Sequence, residues 1–204
     1  MPAGAQQQHR PMAERREQLL DAAVEVMRLR GVAAATTRAV TTTAGLPHGA
    51  FHYCFHSKDD LFDALLEREL SGSLMEAWDA VSDLGEAQEG IAVALLTYLD
   101  HVRADPDYQL LIRELTVHAA RAPDGRMALR QHQEIAARTS DLVTRWSHSQ
   151  RLTWTVPLST VAELLVSTAS GLAWTWLTTR DDQLLDASVQ AFANSISALA
   201  RVSP

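Results

Sequence analysis

The stretch that decides the fold is TTRAVTTTAGLPHGAFHYCFHSK, residues Thr36–Lys58. A short segment with polar side chains ends at Ala-Gly-Leu, and a second short segment with aromatic side chains follows it. Glycine adopts the left-handed backbone of a tight turn at little cost, so the pattern predicts a bend at Gly45. Two short helices joined by such a turn are typical of a helix-turn-helix, whose second helix enters the major groove of DNA.

The residues around this stretch predict where the first helices begin and end. Apolar residues at helical spacing predict a first helix over residues 13–30, stopped by Gly31. Thr36 is a suitable N-cap for a second helix over 37–44, and Pro47 suits the first position of a third helix over 47–53. Ser57 followed by Asp60 resembles a capping box and predicts a long fourth helix that ends near residue 81.

The remainder of the chain also predicts helices, about nine in all, and therefore an all-α fold. Gly, Pro and Asp punctuate it, with a loop expected over 83–90 and a break over 153–157. No alternation long enough to indicate a strand occurs, and no internal repeat is present. The later helices are predicted at 88–103, 107–120, 125–149, 158–179 and 182–201. We expect a disordered arm over 1–11, a three-helix DNA-binding domain over 12–58 and a ligand-binding and dimerisation domain over 59–204.

Charge is distributed unevenly along the chain. The 204 residues carry a net charge of −7, which is unusual for a DNA-binding protein. Residues 1–58, however, hold seven Arg and Lys against four Asp and Glu, a net charge of +3, so the rest carries −10. The asymmetry favours DNA contact by the N-terminal part and discourages the remainder from approaching phosphate.

Composition and residue spacing argue against a secreted protein, a membrane-spanning protein and a metal site. The single cysteine, Cys54, excludes an intrachain disulfide, and no apolar signal segment is visible, so we expect a cytoplasmic protein. The longest charge-free run in the body, 16 residues from Leu164 to Thr179, is short for a membrane span. His48, His52 and His56 have metal-ligand spacing, but no carboxylate or second thiolate stands at a fixed distance from them, so we expect no metal. We expect no cofactor.

The N-terminal region resembles the DNA-binding domain of the TetR family of transcriptional repressors. The resemblance covers about residues 14–62 without a gap, whereas the rest of the chain is similar only in helix number and order. The positions that carry it are Arg16, Ala22, Ala23, Gly31, Thr36, Ala44, Gly45, Leu46, Pro47, Gly49, Phe51, His52, Tyr53, Phe55, Lys58 and Leu61. The chain departs from the family pattern at Val40-Thr41, where Ile-Ala is usual, and at Pro47, His52 and Cys54, where Ser, Tyr and His are usual.

Two kinds of DNA contact are expected from these residues. Thr36, Thr37 and Arg38 at a helix N-terminus favour a phosphate, and Lys58 resembles the phosphate-contacting lysine of the family. Such contacts set position but carry no sequence information. Bases would be read by the exposed face of the third helix. That face offers His48, Gly49 and His52 to the bases, and Pro47 for an apolar contact. The Tyr53 hydroxyl could reach a phosphate. Phe51 and Phe55 are expected in the core.

The body offers candidates for two further sites. As the resemblance implies, we expect a largely apolar effector pocket, although each of its aromatic and histidine residues is also compatible with a purely structural role. The pocket candidates are Trp78, Tyr98, His101, His118, Trp146 and Trp174. The last two helices are apolar on more than one side, which indicates a four-helix dimer interface or, alternatively, completion of a monomer core. The interface candidates are Leu165, Ala169, Leu172, Trp176, Phe192 and Ile196.

Together these features predict a homodimeric repressor that releases a palindromic DNA operator when a small, largely apolar molecule binds the C-terminal domain. Two alternatives remain open: an activator, and a ligand-binding or adaptor protein that has kept the fold without binding DNA. An enzyme is not expected, because no nucleophile–base spacing, metal cluster or phosphate-binding glycine-rich loop occurs. No membrane partner is expected.

Overall fold

The computed structural model describes residues 12–81, 86–122 and 126–202, and for 71–79 and 202 the backbone alone. The predicted arm over 1–11 and part of the predicted loop over 83–90 lie outside these residues. Nine α-helices and one short two-stranded ribbon make up the regular structure of the described residues, apart from a 3₁₀ turn at Val32–Ala34, which confirms the all-α fold. None of the described helices is long and apolar enough to cross a membrane.

The chain forms two compact units, Met1–Leu65 and Leu66–Pro204. The helices are α1 (Met12–Arg30), α2 (Thr37–Thr43), α3 (Ala50–Cys54), α4 (Lys58–Val81), α5 (Ala87–Ala104), α6 (Pro106–Arg121), α7 (Arg126–Ser149), α8 (Leu158–Thr179) and α9 (Asp182–Ser197). The ribbon consists of β1 (Leu152–Trp154) and β2 (Ala200–Val202).

Local hydrogen bonds begin and end the helices of the N-terminal unit as their residues predict. The Thr36 hydroxyl accepts from the Ala39 amide at 3.2 Å and caps α2, and Gly45 has a φ of 64° in the turn that follows. At α4 the Ser57 hydroxyl accepts from the Asp60 amide at 3.0 Å. The Asp60 carboxylate accepts in return from the His56 amide, also at 3.0 Å, so the box closes one residue further out than usual.

The core of the N-terminal unit is built from one face of each helix. Leu19 and Leu20 of α1, Val40 of α2, Phe51 of α3 and Phe62 of α4 are all at most 1% exposed. The Gln18 amide also donates to the Ala44 carbonyl at 2.7 Å, which joins α1 to the end of α2. This core confirms the helical periodicity that the sequence predicts for α1.

The C-terminal unit has its own core between α5, α7, α8 and α9. The buried cluster includes Leu99 of α5, Trp146 of α7, Trp176 of α8 and Val189 of α9. At its edge, Arg103 of α5 makes ion pairs with Asp100 and with Asp182 and Asp186 of α9, at 2.9, 2.9 and 3.4 Å. Apolar burial and ion pairing therefore both hold α5 against α9.

The ribbon corrects the prediction of a helix to residue 201. α9 ends at Ser197, and β2 pairs antiparallel with β1, Thr153 opposite Arg201. The Thr155 amide also donates to the Leu199 carbonyl at 2.8 Å. The backbone after α9 thus finds its hydrogen bonds in a segment distant in sequence, which local periodicity does not reveal.

Gly90 brings α5 and α7 into close contact. A Cβ atom added at Gly90 would lie 2.3 Å from the Cζ2 atom of Trp146, whose side chain is 5% exposed. The indole therefore occupies the space that any other residue at position 90 would need. A glycine within a helix costs about 1 kcal/mol relative to alanine, so close packing has to offset this cost.

We expect Gly90→Ala to lower the free energy of unfolding. Overpacking costs roughly 1–3 kcal/mol, and the better helix propensity of alanine returns only about 1 kcal/mol of it. Thermal unfolding of the wild type, Gly90→Ala, Trp146→Phe and the double variant measures the effect. The smaller phenyl ring leaves room for the methyl group, so the alanine should cost less in the Trp146→Phe background. An equal cost in both backgrounds would show that the indole is not the obstacle.

Candidate nucleic-acid interface

The residues expected to contact bases lie together on the surface of the N-terminal unit. His48, Gly49, His52 and Tyr53 are exposed, Tyr53 to 76%, and the His48 and His52 rings are 6.2 Å apart. The third helix starts later than predicted, so Pro47, His48 and Gly49 form a turn before it. The Pro47 carbonyl accepts from the Ala50 amide at 2.8 Å. One surface therefore combines this turn with the exposed side of α3.

The opposite side of α3 is buried, as predicted. Phe51 is 0% and Phe55 3% exposed, with their ring centroids 5.6 Å apart. The Arg16 guanidinium of α1 lies 4.9 Å from the Phe55 ring centroid. A five-residue helix does not form alone, so these contacts hold it in place. The burial of Phe51 and Phe55 consequently fixes which side of α3 faces solvent.

A second polar surface surrounds the N-terminus of α2. A shallow open groove of about 320 Å³ is lined by Arg30, Thr36, Arg38, Ala39, Thr42 and Thr43. The Thr36 oxygen accepts from the Ala39 amide, and its hydroxyl hydrogen can still be donated. Thr37 is half-buried and Arg38 is exposed. The groove adds Arg30 to the sequence candidates, a residue that the sequence alone did not indicate because it ends a different helix.

Lys58 stands at the first residue of α4. Its ammonium lies 5.1 Å from the Phe62 ring centroid, and its side chain is half-buried. The ammonium over the ring face has the geometry of a cation–π contact. A cation at this place can contact a phosphate as a point charge.

Cys54 is the one thiol of the chain and lies half-buried on α3. Burial raises the pKa of the Cys54 thiol, against the opposing effect of Arg15 and Arg16. The thiol is therefore protonated at neutral pH and behaves as a small apolar side chain. Among the described residues no three His, Cys, Asp or Glu side chains are grouped so that they could hold a metal ion.

The predicted pocket residues are scattered in the C-terminal unit. Tyr98 and His101 are half-buried on α5, and Trp146 is buried under Gly90. His118 is exposed on α6, and Trp174 is 50% exposed on α8. The side chain of the sixth candidate, Trp78, lies outside the described residues. The structure thus brings Tyr98 and His101 together on one helix and leaves the pocket itself a prediction.

A polar cluster that the sequence did not indicate surrounds Glu69 of α4. The Glu69 Oε1 atom lies 2.8 Å from His101 Nε2 and accepts from Gln109 Nε2 at 2.6 Å. Burial raises the pKa of Tyr98, Arg113 opposes this rise, and Glu69 adds to it. Glu69 and Gln109 are 40 positions apart in sequence, so spacing alone could not connect them.

The predicted interface residues pack mainly on the core of their own unit. Trp176 and Ile196 are buried, at 8% and 5% exposure, and the Trp176 indole donates to Asp182 at 2.8 Å. Leu165, Ala169, Leu172 and Phe192 are partly buried against the same core. The opposite side of α8 is exposed and uncharged. We call it the outward stripe, which consists of Leu164, Ser167, Gly171, Trp174 and Thr178.

Comparison with known proteins identifies the N-terminal unit. Residues 19–65 match the family model described as bacterial regulatory proteins, tetR family. The nicotine-responsive transcriptional repressor HdnoR of Paenarthrobacter nicotinovorans, a helix-turn-helix protein, is 38% identical over 79 residues. The alignment covers 39% of this chain and 40% of that repressor's length. The N-terminal unit is therefore similar to the DNA-binding domain of helix-turn-helix regulators.

Solved structures extend the likeness to nearly the whole chain. A transcriptional regulator from Rhodococcus sp. Rha1 has a TM-score of 0.68 at 20% identity, over 93% of this chain and 99% of its own. The multidrug binding protein EbrR in complex with imidazole has a TM-score of 0.66 at 24% identity, over 89% and 94%. FadR of Bacillus subtilis, in complex with stearoyl-CoA, has a TM-score of 0.65 at 17% identity, over 90% and 96%. At these identities the likeness shows a shared fold. The match to the tetR family model is confined to residues 19–65, so it identifies the N-terminal unit alone.

The two polar surfaces are expected to respond differently to mutation. Lys58 is predicted to contact a phosphate, so Lys58→Ala should lower the affinity for all DNA by a similar factor and reduce the salt slope by about 1. His52 is predicted to contact base edges, so His52→Ala should change base preference instead, at a cost of about 1–3 kcal/mol for the preferred base. Fluorescence anisotropy with operator and random duplexes separates the two effects. Lys58→Arg, which keeps the charge, is the control, and an equal loss on both duplexes for His52→Ala would contradict this division.

Proposed function

We propose that the chain is a cytoplasmic, non-enzymatic transcriptional repressor that binds a palindromic DNA operator as a homodimer. The observation that carries the proposal is the two-sided α3. Phe51 and Phe55 fasten one side to the core, while His52 and Tyr53 occupy the exposed side. A short helix held rigidly with polar side chains outward is suited to enter the major groove. The match of residues 19–65 to the tetR family supports the same conclusion.

Release of the operator by a small molecule is the second part of the proposal. HdnoR is named as nicotine-responsive, EbrR is a multidrug binding protein, and the FadR structure contains stearoyl-CoA. Each of these three proteins is described as responding to an organic molecule or binding one, which supports a small organic effector for this chain too. We place its binding in the C-terminal unit, near Tyr98 and His101. The effector must bind the DNA-competent and DNA-incompetent states with different affinities, because otherwise it shifts no equilibrium.

Dimer formation is proposed through the outward stripe of α8 and the neighbouring exposed side of α9. Leu164, Trp174 and Leu184 expose 37%, 50% and 46% of their surfaces. No charged residue occurs between Leu164 and Thr179. Burying this side of α8 against a second copy therefore costs less free energy than burying a charged side would. A two-fold dimer would carry two copies of α3, as two half-sites of a palindrome require.

We expect purified protein to bind DNA from its own upstream intergenic region tightly, and more weakly as salt rises. Each phosphate contact releases counterions, so the logarithm of the affinity falls linearly with the logarithm of the salt concentration. Titration at two salt concentrations, with random DNA of equal length as the control, measures this. Weak binding that is the same for both DNAs would favour a distant operator or a protein that has lost DNA binding. Selection from a random DNA library then separates these two, because only a true operator is enriched.

Gly171→Ala tests whether the outward stripe is the dimer face. Apart from the chain neighbours and the backbone of α8 itself, no described atom lies within 4 Å of a Cβ atom added there. If solvent covers position 171, alanine should raise stability by about 1 kcal/mol without changing association. If a second copy packs there, the methyl group should weaken the dimer, which is the result we expect. Sedimentation velocity and thermal unfolding of one sample give both readouts, with Ser159→Ala, an exposed position of α8 off the stripe, as the control.

A further inference from the structure

Helix α6 holds two other helices through two side chains on one of its faces. The Gln109 amide donates to Glu69 of α4 at 2.6 Å, and the Arg113 Nη2 atom donates to the Ser170 carbonyl of α8 at 2.7 Å. Residues four apart on a helix lie on the same side, one turn from each other. A single face of α6 is thus fastened to α4 at one turn and to α8 at the next.

The α4 end of this connection is well anchored. Gln109 is 6% exposed, and the Glu69 side chain is 13% exposed. The Glu69 Oε1 atom also lies 2.8 Å from His101 Nε2, so α4, α5 and α6 meet at one carboxylate oxygen. Hydrogen bonds to a charged group at low exposure are among the stronger ones and keep their geometry. A displacement of α4 at Glu69 would therefore carry Gln109 with it.

The α8 end reaches the outward stripe. The Arg113 guanidinium lies 5.5 Å from the ring centroid of Trp174, which is the largest side chain of the stripe and is half exposed. The same guanidinium holds the carbonyl of Ser170, one helical turn before Trp174. Arg113 therefore contacts both the backbone of this turn of α8 and the Trp174 ring.

We propose that Gln109 and Arg113 couple helix α4 to the dimer face, so that a displacement of α4 changes the Trp174 surface offered to a second copy. The inference rests on the proposed function in one respect, the use of the outward stripe for dimer formation. Coupling of this kind is reciprocal. If dimer formation favours one position of α4, any change that stabilises that position of α4 must also favour dimer formation. Gln109 and Arg113 are positioning residues, because neither is proposed to contact the DNA or the effector.

The test is a double-mutant cycle on the full-length protein without DNA. Gln109→Met and Arg113→Met keep unbranched side chains and remove the polar groups. The dimer dissociation constant of each single variant and of the pair is measured by sedimentation velocity over a dilution series. Arg121→Met, an exposed arginine near the end of the same helix, is the matched control. Circular dichroism tests whether each variant keeps its helices. If Gln109→Met unfolds, Glu69→Gln takes its place in the cycle.

We expect Arg113→Met to weaken the dimer by about three-fold or more and Arg121→Met to leave it unchanged. Gln109→Met should change the dissociation constant by about three-fold in the wild-type background and have almost no further effect once Arg113 is methionine. Effects of the two variants that simply multiply would overturn the coupling while leaving the dimer intact. A wild-type protein that stays monomeric would instead overturn the dimer itself, and the coupling with it.

Discussion

The burial of Phe51 is the interaction on which the proposed DNA-binding surface depends. α3 has only five residues, Ala50–Cys54, and so few residues cannot repay the cost of helix nucleation by their own hydrogen bonds. Its conformation is stable because Phe51 is fully buried and Phe55 nearly so. His48, His52 and Tyr53 consequently keep their directions only as long as the core behind them is intact. Changes that loosen this core would therefore disturb the proposed DNA-binding surface without touching its exposed residues.

The sequence predicted the N-terminal unit well because its signals are local. Thr36 caps the segment it precedes, Gly45 turns where it stands, and Ser57 and Asp60 open α4 by bonds within four residues. The start of α3 was misplaced for a local reason as well. Proline is acceptable in a helical first turn and in a tight turn alike, so Pro47 does not distinguish the two. Tertiary contacts decide between them.

The C-terminal unit was predicted less completely because its decisive contacts are distant in sequence. The helices appeared close to their observed bounds, since apolar periodicity is a property of each helix alone. Which side of α8 meets the core depends on α7 and α9, so Trp176 was expected at a dimer interface although it is buried in its own unit. Glu69 and Gln109 showed no pattern for the same reason. Trp146 was expected in the effector pocket and Gly90 at the end of a loop, and nothing in their spacing predicts that the two residues pack together.

α4 has a consequence for how regulators of this architecture can be recombined. The boundary that we predict between the DNA-binding and the effector-binding domain, after residue 58, stays a prediction. The compact units of the structure divide after Leu65. Leu61, Phe62 and Leu65 of α4 are at most 1% exposed and complete the hydrophobic core of the N-terminal unit. A chimera joined before Leu61 would receive these side chains from the other parent, chosen for a different set of neighbours. Exchange of DNA specificity between such proteins therefore requires a junction within α4 and beyond Leu65.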